Sequence, residues 1–82
     1  MIRIFENKNQ HCYECWDSNG KMFFYYEKLN DSSICIKRTE FSIDFDTSDS
    51  FRKIIGTIIE LLLAMNFSIT TECPWVKAYL KV

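Results

Sequence analysis

Apolar residues alternate with polar ones through the first part of the chain, recur every three to four positions in the middle, and alternate again at the end. Ile2 to Phe5 has the composition of a short strand, and Asn7-Lys8-Asn9-Gln10 after it that of a turn. His11–Asp17 and Lys21–Glu27 flank Asp17-Ser18-Asn19-Gly20, which predicts a β-hairpin. Two registers compete. A two-residue Asn19-Gly20 turn is one; the other is a type I turn with a bulge, which sets Asp17 opposite Lys21 and His11 opposite Glu27 and is favoured because it pairs opposite charges. From Ser33 to Asp46 the apolar parity changes between Ile36 and Phe41. With no Gly there for a primed turn, one strand bent by a bulge near Arg38 and Thr39 is expected.

The middle stretch reads as a helix over about residues 48–65. Thr47-Ser48-Asp49-Ser50 supplies capping oxygens and an acid for the unpaired amides of the first turn. Phe51, Ile54, Ile55, Ile58, Ile59, Leu61, Leu62 and Met65 fall on one arc at 100° per residue, against Arg52, Lys53, Gly56, Thr57, Glu60 and Ala64. Asn66 is suited to a left-handed stop, after which Phe67, Ile69 and Thr71 alternate with Ser68, Thr70 and Glu72. Beyond Pro74, Val76, Ala78, Leu80 and Val82 alternate with Trp75, Lys77, Tyr79 and Lys81, favouring a strand over a short helix begun by the proline.

The pattern predicts a single α+β domain over residues 1–82. Its antiparallel sheet has four to six strands, beginning as an N-terminal meander; one amphipathic helix packs on one face, and one or two C-terminal strands follow. With 82 residues, 48% of them hydrophobic and only two Gly and one Pro, the chain is a folder with one thin core. A formal charge of −1 provides no global attraction to nucleic acid or to an acidic membrane. The longest apolar run, Ile58 to Met65, contains Glu60 and is too short to span a bilayer. No signal peptide is read at the start, so the expectation is a cytoplasmic protein with reduced cysteines.

Candidate chemistry changes this picture little. His11-Cys12-x-x-Cys15 suggests half a zinc site, but residues three apart on a strand lie about 10 Å apart on opposite faces, and Cys35 and Cys73 form no second pair. Buried cysteines are expected, without metal or cofactor. Read as a calcium loop from Asp44, the chain has Asp49 where Gly is needed and Ile55 where the bidentate Glu belongs. One His, no phosphate-binding glycine loop and no nucleophile elbow argue against an enzyme.

Surfaces are more informative. Met22-Phe23-Phe24-Tyr25-Tyr26 projects large side chains from both faces of the sheet, and one helix covers only one of them. In the favoured register Trp16 shares a face with Phe24 and Tyr26, while Phe23 and Tyr25 share the other with Tyr13 and Cys15. Residues 40–50 hold four acids, Glu40, Asp44, Asp46 and Asp49, and no Lys or Arg. Trp16, Phe23, Tyr25, Glu40, Asp44 and Asp46 are the candidate partner-binding residues, for another protein of basic or nucleic-acid-binding character or for a second copy of the chain. Trp75, Lys77, Tyr79 and Lys81 form a weaker candidate nucleic-acid strand, for which a Lys-blunted edge is the plainer explanation. No motif anchors the chain to a family. Tiny uncatalytic domains of this kind often act by stoichiometric binding, as immunity proteins, antitoxins and phage-encoded inhibitors of host defence do, and the Ile-, Asn-, Lys- and Phe-rich usage suits an AT-rich bacterial or phage genome.

Overall fold

The computed structural model describes residues 2–18, 20–42 and 49–80, with the backbone alone described for residues 49–51. Strands β1 (Arg3–Asn7), β2 (Cys12–Asp17), β3 (Gly20–Asn30) and β4 (Ser33–Phe41) form an antiparallel meander. Helix α1 (Asp49–Ala64) then returns the chain so that β5 (Ser68–Thr71) lies parallel to β4, and α2 (Pro74–Leu80) follows. The sheet order is β1-β2-β3-β4-β5, a mostly antiparallel α+β fold. No described helix is long and apolar enough to cross a membrane. The strand reading of residues 43–46, the capping side chains of residues 47–50, and residues 81 and 82 lie outside the description.

The β2–β3 register departs from both expected forms. Asp17 faces Gly20, Trp16 faces Lys21, Cys15 faces Met22 and Tyr13 faces Phe24. Burial decides it. The charge-pairing register sets Glu14 opposite Phe24, on the face that becomes the core; cross-strand charge pairs contribute about 0.2–1 kcal/mol, against about 1.5–3 kcal/mol for each large apolar side chain buried. Shifting by one residue exchanges the two faces of a strand, so Tyr13 and Cys15 join Met22, Phe24 and Tyr26 in the core while Trp16 joins Phe23 and Tyr25 on the other side. The expected parity change in β4 is present. Tyr26 pairs with Ile36 and Tyr25 with Arg38, leaving Lys37 as the bulged residue, one position before the expected site.

One sheet face carries Tyr13, Cys15, Met22, Phe24, Tyr26, Ile34 and Ile36, and α1 seals it with Ile54, Ile55, Ile58, Ile59 and Leu62, all buried. Met65, expected on that apolar arc, is half exposed because the helix has already ended. Asn66 stops it in the left-handed region (φ 66°): the Phe67 amide donates to the Leu62 carbonyl at 3.1 Å and the Asn66 amide to that of Leu63 at 2.9 Å, the paired bonds of a Schellman cap.

The C-terminal segment is a helix, which corrects the strand expectation. Pro74 takes the first helical position, where its missing N–H costs nothing, and the Lys77 amide donates to the Cys73 carbonyl at 2.9 Å. Val76 and Leu80 are four apart and satisfy a helical and an alternating pattern equally. Ala78, which only a strand would bury, is exposed. Val76 is fully buried, and Gly56 of α1 admits the ring of Tyr79 so closely that a Cβ there would meet its hydroxyl at 2.6 Å.

Candidate functional site

Both helices pack on one side of the sheet, and the strand registers define what the other side displays. Arg3, Trp16 and Lys21 form one row across it; Phe5, Glu14, Phe23 and Glu40 form the next; Asn7, Cys12, Tyr25 and Arg38 form the third. Phe5 is 54% exposed, Trp16, Phe23 and Tyr25 are half-buried, and Cys12 lies beneath them at 1%. Four aromatic rings thus share a face with three cations and two carboxylates.

Two of the cations, Lys21 and Arg38, are placed against the rings. Lys21 Nζ sits 5.4 Å from the Trp16 ring centroid and 5.6 Å from that of Phe23, and 3.9 Å from a Glu14 carboxylate oxygen. The Arg38 guanidinium stacks 4.1 Å from the Tyr25 centroid and donates to Glu40 at 3.3 Å. Each such contact contributes about 0.5–1 kcal/mol in an exposed setting and holds the ring in one orientation. Partial desolvation, and then the nearby Glu40 carboxylate, hold the Tyr25 phenol above its usual range, with Arg38 acting in the opposite sense. Tyr25 is therefore a neutral donor at physiological pH.

Of the residues expected to bind a partner, Trp16, Phe23, Tyr25 and Glu40 come together on this face, although the expected register had put Trp16 on the other. Asp44 and Asp46 lie outside the described residues. The C-terminal stripe is broken up. On a helix Trp75 and Tyr79 share a side, Lys77 turns away from both, and Tyr79 is engaged with Gly56; Lys81 lies outside the description. Phe5, Glu14, Lys21 and Arg38 were not identified from the sequence; the burial of Glu14 that the wrong β2–β3 register demands is the signal for Glu14 and Lys21, whereas Phe5 and Arg38 are placed by the β1–β2 and β3–β4 registers. No family model, curated protein or solved structure matches the chain.

All four cysteines are free and buried, with Cys12 on the open side of β2 and Cys15 in the core. Burial, reinforced by Cys12, pushes the Cys15 thiol from an ordinary 9.0 up to about 12. Tyr13 and Tyr26 are also raised by burial, and Tyr26 further by its 2.7 Å hydrogen bond to the Glu6 carboxylate. These groups are neutral in the fold and ionise earlier in the unfolded chain, so their stabilisation is complete below pH 9 and declines as the pH rises from about 9 towards 12. Urea midpoints measured at intervals from pH 8 to pH 11 are expected to fall steadily above pH 9, and less steeply in Cys15→Ala compared with its own midpoint at pH 8.

Proposed function

We propose that the open sheet face is a protein-binding surface and that the chain is a non-catalytic stoichiometric binder, acting in the cytoplasm by occluding a surface of its partner. The observation that carries this reading is the gathering of Trp16, Phe23 and Tyr25 with Lys21, Arg38, Glu14 and Glu40 on a face that neither helix covers. Trp, Tyr and Arg are the residues in which interface energy concentrates, and rings held half-buried lose little freedom when a partner completes their burial. Mixed charge favours protein over nucleic acid, because Glu14 and Glu40 flank Phe23 across the central row and repel a phosphate backbone. A small binder of this kind fits the mode of action of immunity proteins, antitoxins and inhibitors carried by phages or mobile elements. The test compares copurification by native protein with that by Trp16→Ala and by Lys53→Ala on the exposed side of α1. One partner held at constant stoichiometry, lost with Trp16→Ala and kept with Lys53→Ala, supports the reading; equal recovery with both contradicts it.

A second reading, self-association through the same face, has one favourable observation. A two-fold axis along the strands between β2 and β3 sets Trp16 on Lys21 of a second copy, Glu14 on its Phe23, Phe5 on its Glu40 and Asn7 on its Arg38, with no like charges opposed. Sedimentation equilibrium separates the two readings. A monomer at tens of micromolar favours the heterologous partner, and a dimer that Lys21→Glu dissociates favours the second copy.

A further inference from the structure

The two edges of the sheet are β1 and β5, and β5 has a structured groove beside it. The Ser68 amide donates to the Ser32 carbonyl at 2.7 Å and the Glu72 amide to that of Ile36 at 3.0 Å. In a parallel pair the residues that bond to the neighbouring strand alternate with residues whose N–H and C=O point away from it. The backbone groups of Ser68, Thr70 and Glu72 are therefore directed to β4, and those of Ile69 and Thr71 face outward, where no described strand pairs with them. On the helix side of this edge lies a groove of about 510 Å³ lined by Ile69, Thr70, Thr71, Lys77 and Leu80. Ile69 and Leu80 are partly buried and supply its apolar surface. Lys77 stands at its rim, exposed, with no ion-pair partner among the described residues. The Thr71 hydroxyl is already committed, donating to the Ile36 carbonyl at 2.8 Å and accepting from the Cys73 amide at 3.0 Å, which fixes the strand end and leaves the main chain as the polar feature of the edge.

We propose that this edge binds an extended acidic peptide segment of a partner protein as a sixth strand. The ladder is formed with the outward N–H and C=O groups of Ile69 and Thr71, an apolar side chain of the segment enters the Ile69–Leu80 groove, and a neighbouring carboxylate pairs with Lys77. Backbone geometry selects an extended chain, the groove selects an apolar residue at alternate positions, and the lone cation selects an acid. This site is separate from the open sheet face and does not depend on its function.

The test is selection of a random decapeptide display library on the native protein, followed by amide NMR and affinity measurement with the enriched peptides. The expected result is enrichment of β-branched sequences carrying Asp or Glu, with the largest shifts at the Ile69 and Thr71 amides. Lys77→Glu, an exposed substitution, weakens their binding at least tenfold; replacing the peptide's acid by Lys restores it, and Trp16→Ala leaves it unchanged. Three results overturn the proposal: no enriched sequence, shifts confined to β1 or the open face, or native affinity in Lys77→Glu.

Discussion

Phe24→Ala is expected to destabilise the protein by about 3–5 kcal/mol, seen as a large fall in the urea midpoint with little change in slope. Phe24 is fully buried at the centre of the sheet, paired with Tyr13 on one side and Thr39 on the other and covered by α1. A domain of 82 residues has a stability near the lower end of the usual range of about 5–15 kcal/mol, so this single change brings it close to unfolding at body temperature. Phe23→Ala, one position away, is expected to cost only about 1 kcal/mol, because that ring is half-buried on the uncovered face and surrenders one cation contact. The contrast between neighbours tests which face the helices cover. Equal losses would contradict the assignment of faces.

The second large effect concerns binding. Trp16→Ala combined with Phe23→Ala is expected to weaken the partner complex at least a hundredfold while the fold survives. Buried aromatic anchors at the centre of an interface contribute about 2–4 kcal/mol each when truncated, and these two rings share the Lys21 side chain between them. Removing both also frees Lys21, which retains Glu14 at 3.9 Å, so no charge is stranded in a dry environment. Arg38→Glu provides the electrostatic counterpart, taking the cation off Tyr25 and setting a second acid beside Glu40. Its effect appears mainly as a changed association rate that depends on salt. Isothermal titration and circular dichroism of the same preparations separate lost binding from lost folding.

The sequence made the fold class legible because its strongest signals are long-period ones. Residues 54 to 62 repeat their apolar positions over about two and a half turns, and Asn66 ends the helix in the left-handed conformation that its short polar side chain tolerates. The bulge in β4 was legible for a similar reason, since the shift from Ile36 to Phe41 admits no other way to keep one face inward. The β2–β3 register is not legible from charge pairing, because the pairing that matches opposite charges buries Glu14 in the core. That one residue of slip exchanged Trp16 and Glu14 with Tyr13 and Cys15 as the neighbours of Phe23 and Tyr25. The C-terminal helix was misread because Val76 and Leu80 fit two periods, and exposed Ala78 carries too little hydrophobicity to discriminate. The groove beside β5 was invisible for the same reason, as its second wall exists only once Pro74–Leu80 is helical.

If the uncovered sheet face is where this protein meets its partner, a cross-linker placed there captures that partner and one placed on α1 does not. The most direct measurement places a photo-crosslinking amino acid in turn at positions 23 and 53 and irradiates living cells of the native host. The expected result is one discrete cross-linked product from position 23, of a mass corresponding to one copy of the chain and one partner, and none from position 53 on the exposed side of α1. A product from position 53 alone, or the same product from both positions, would contradict it.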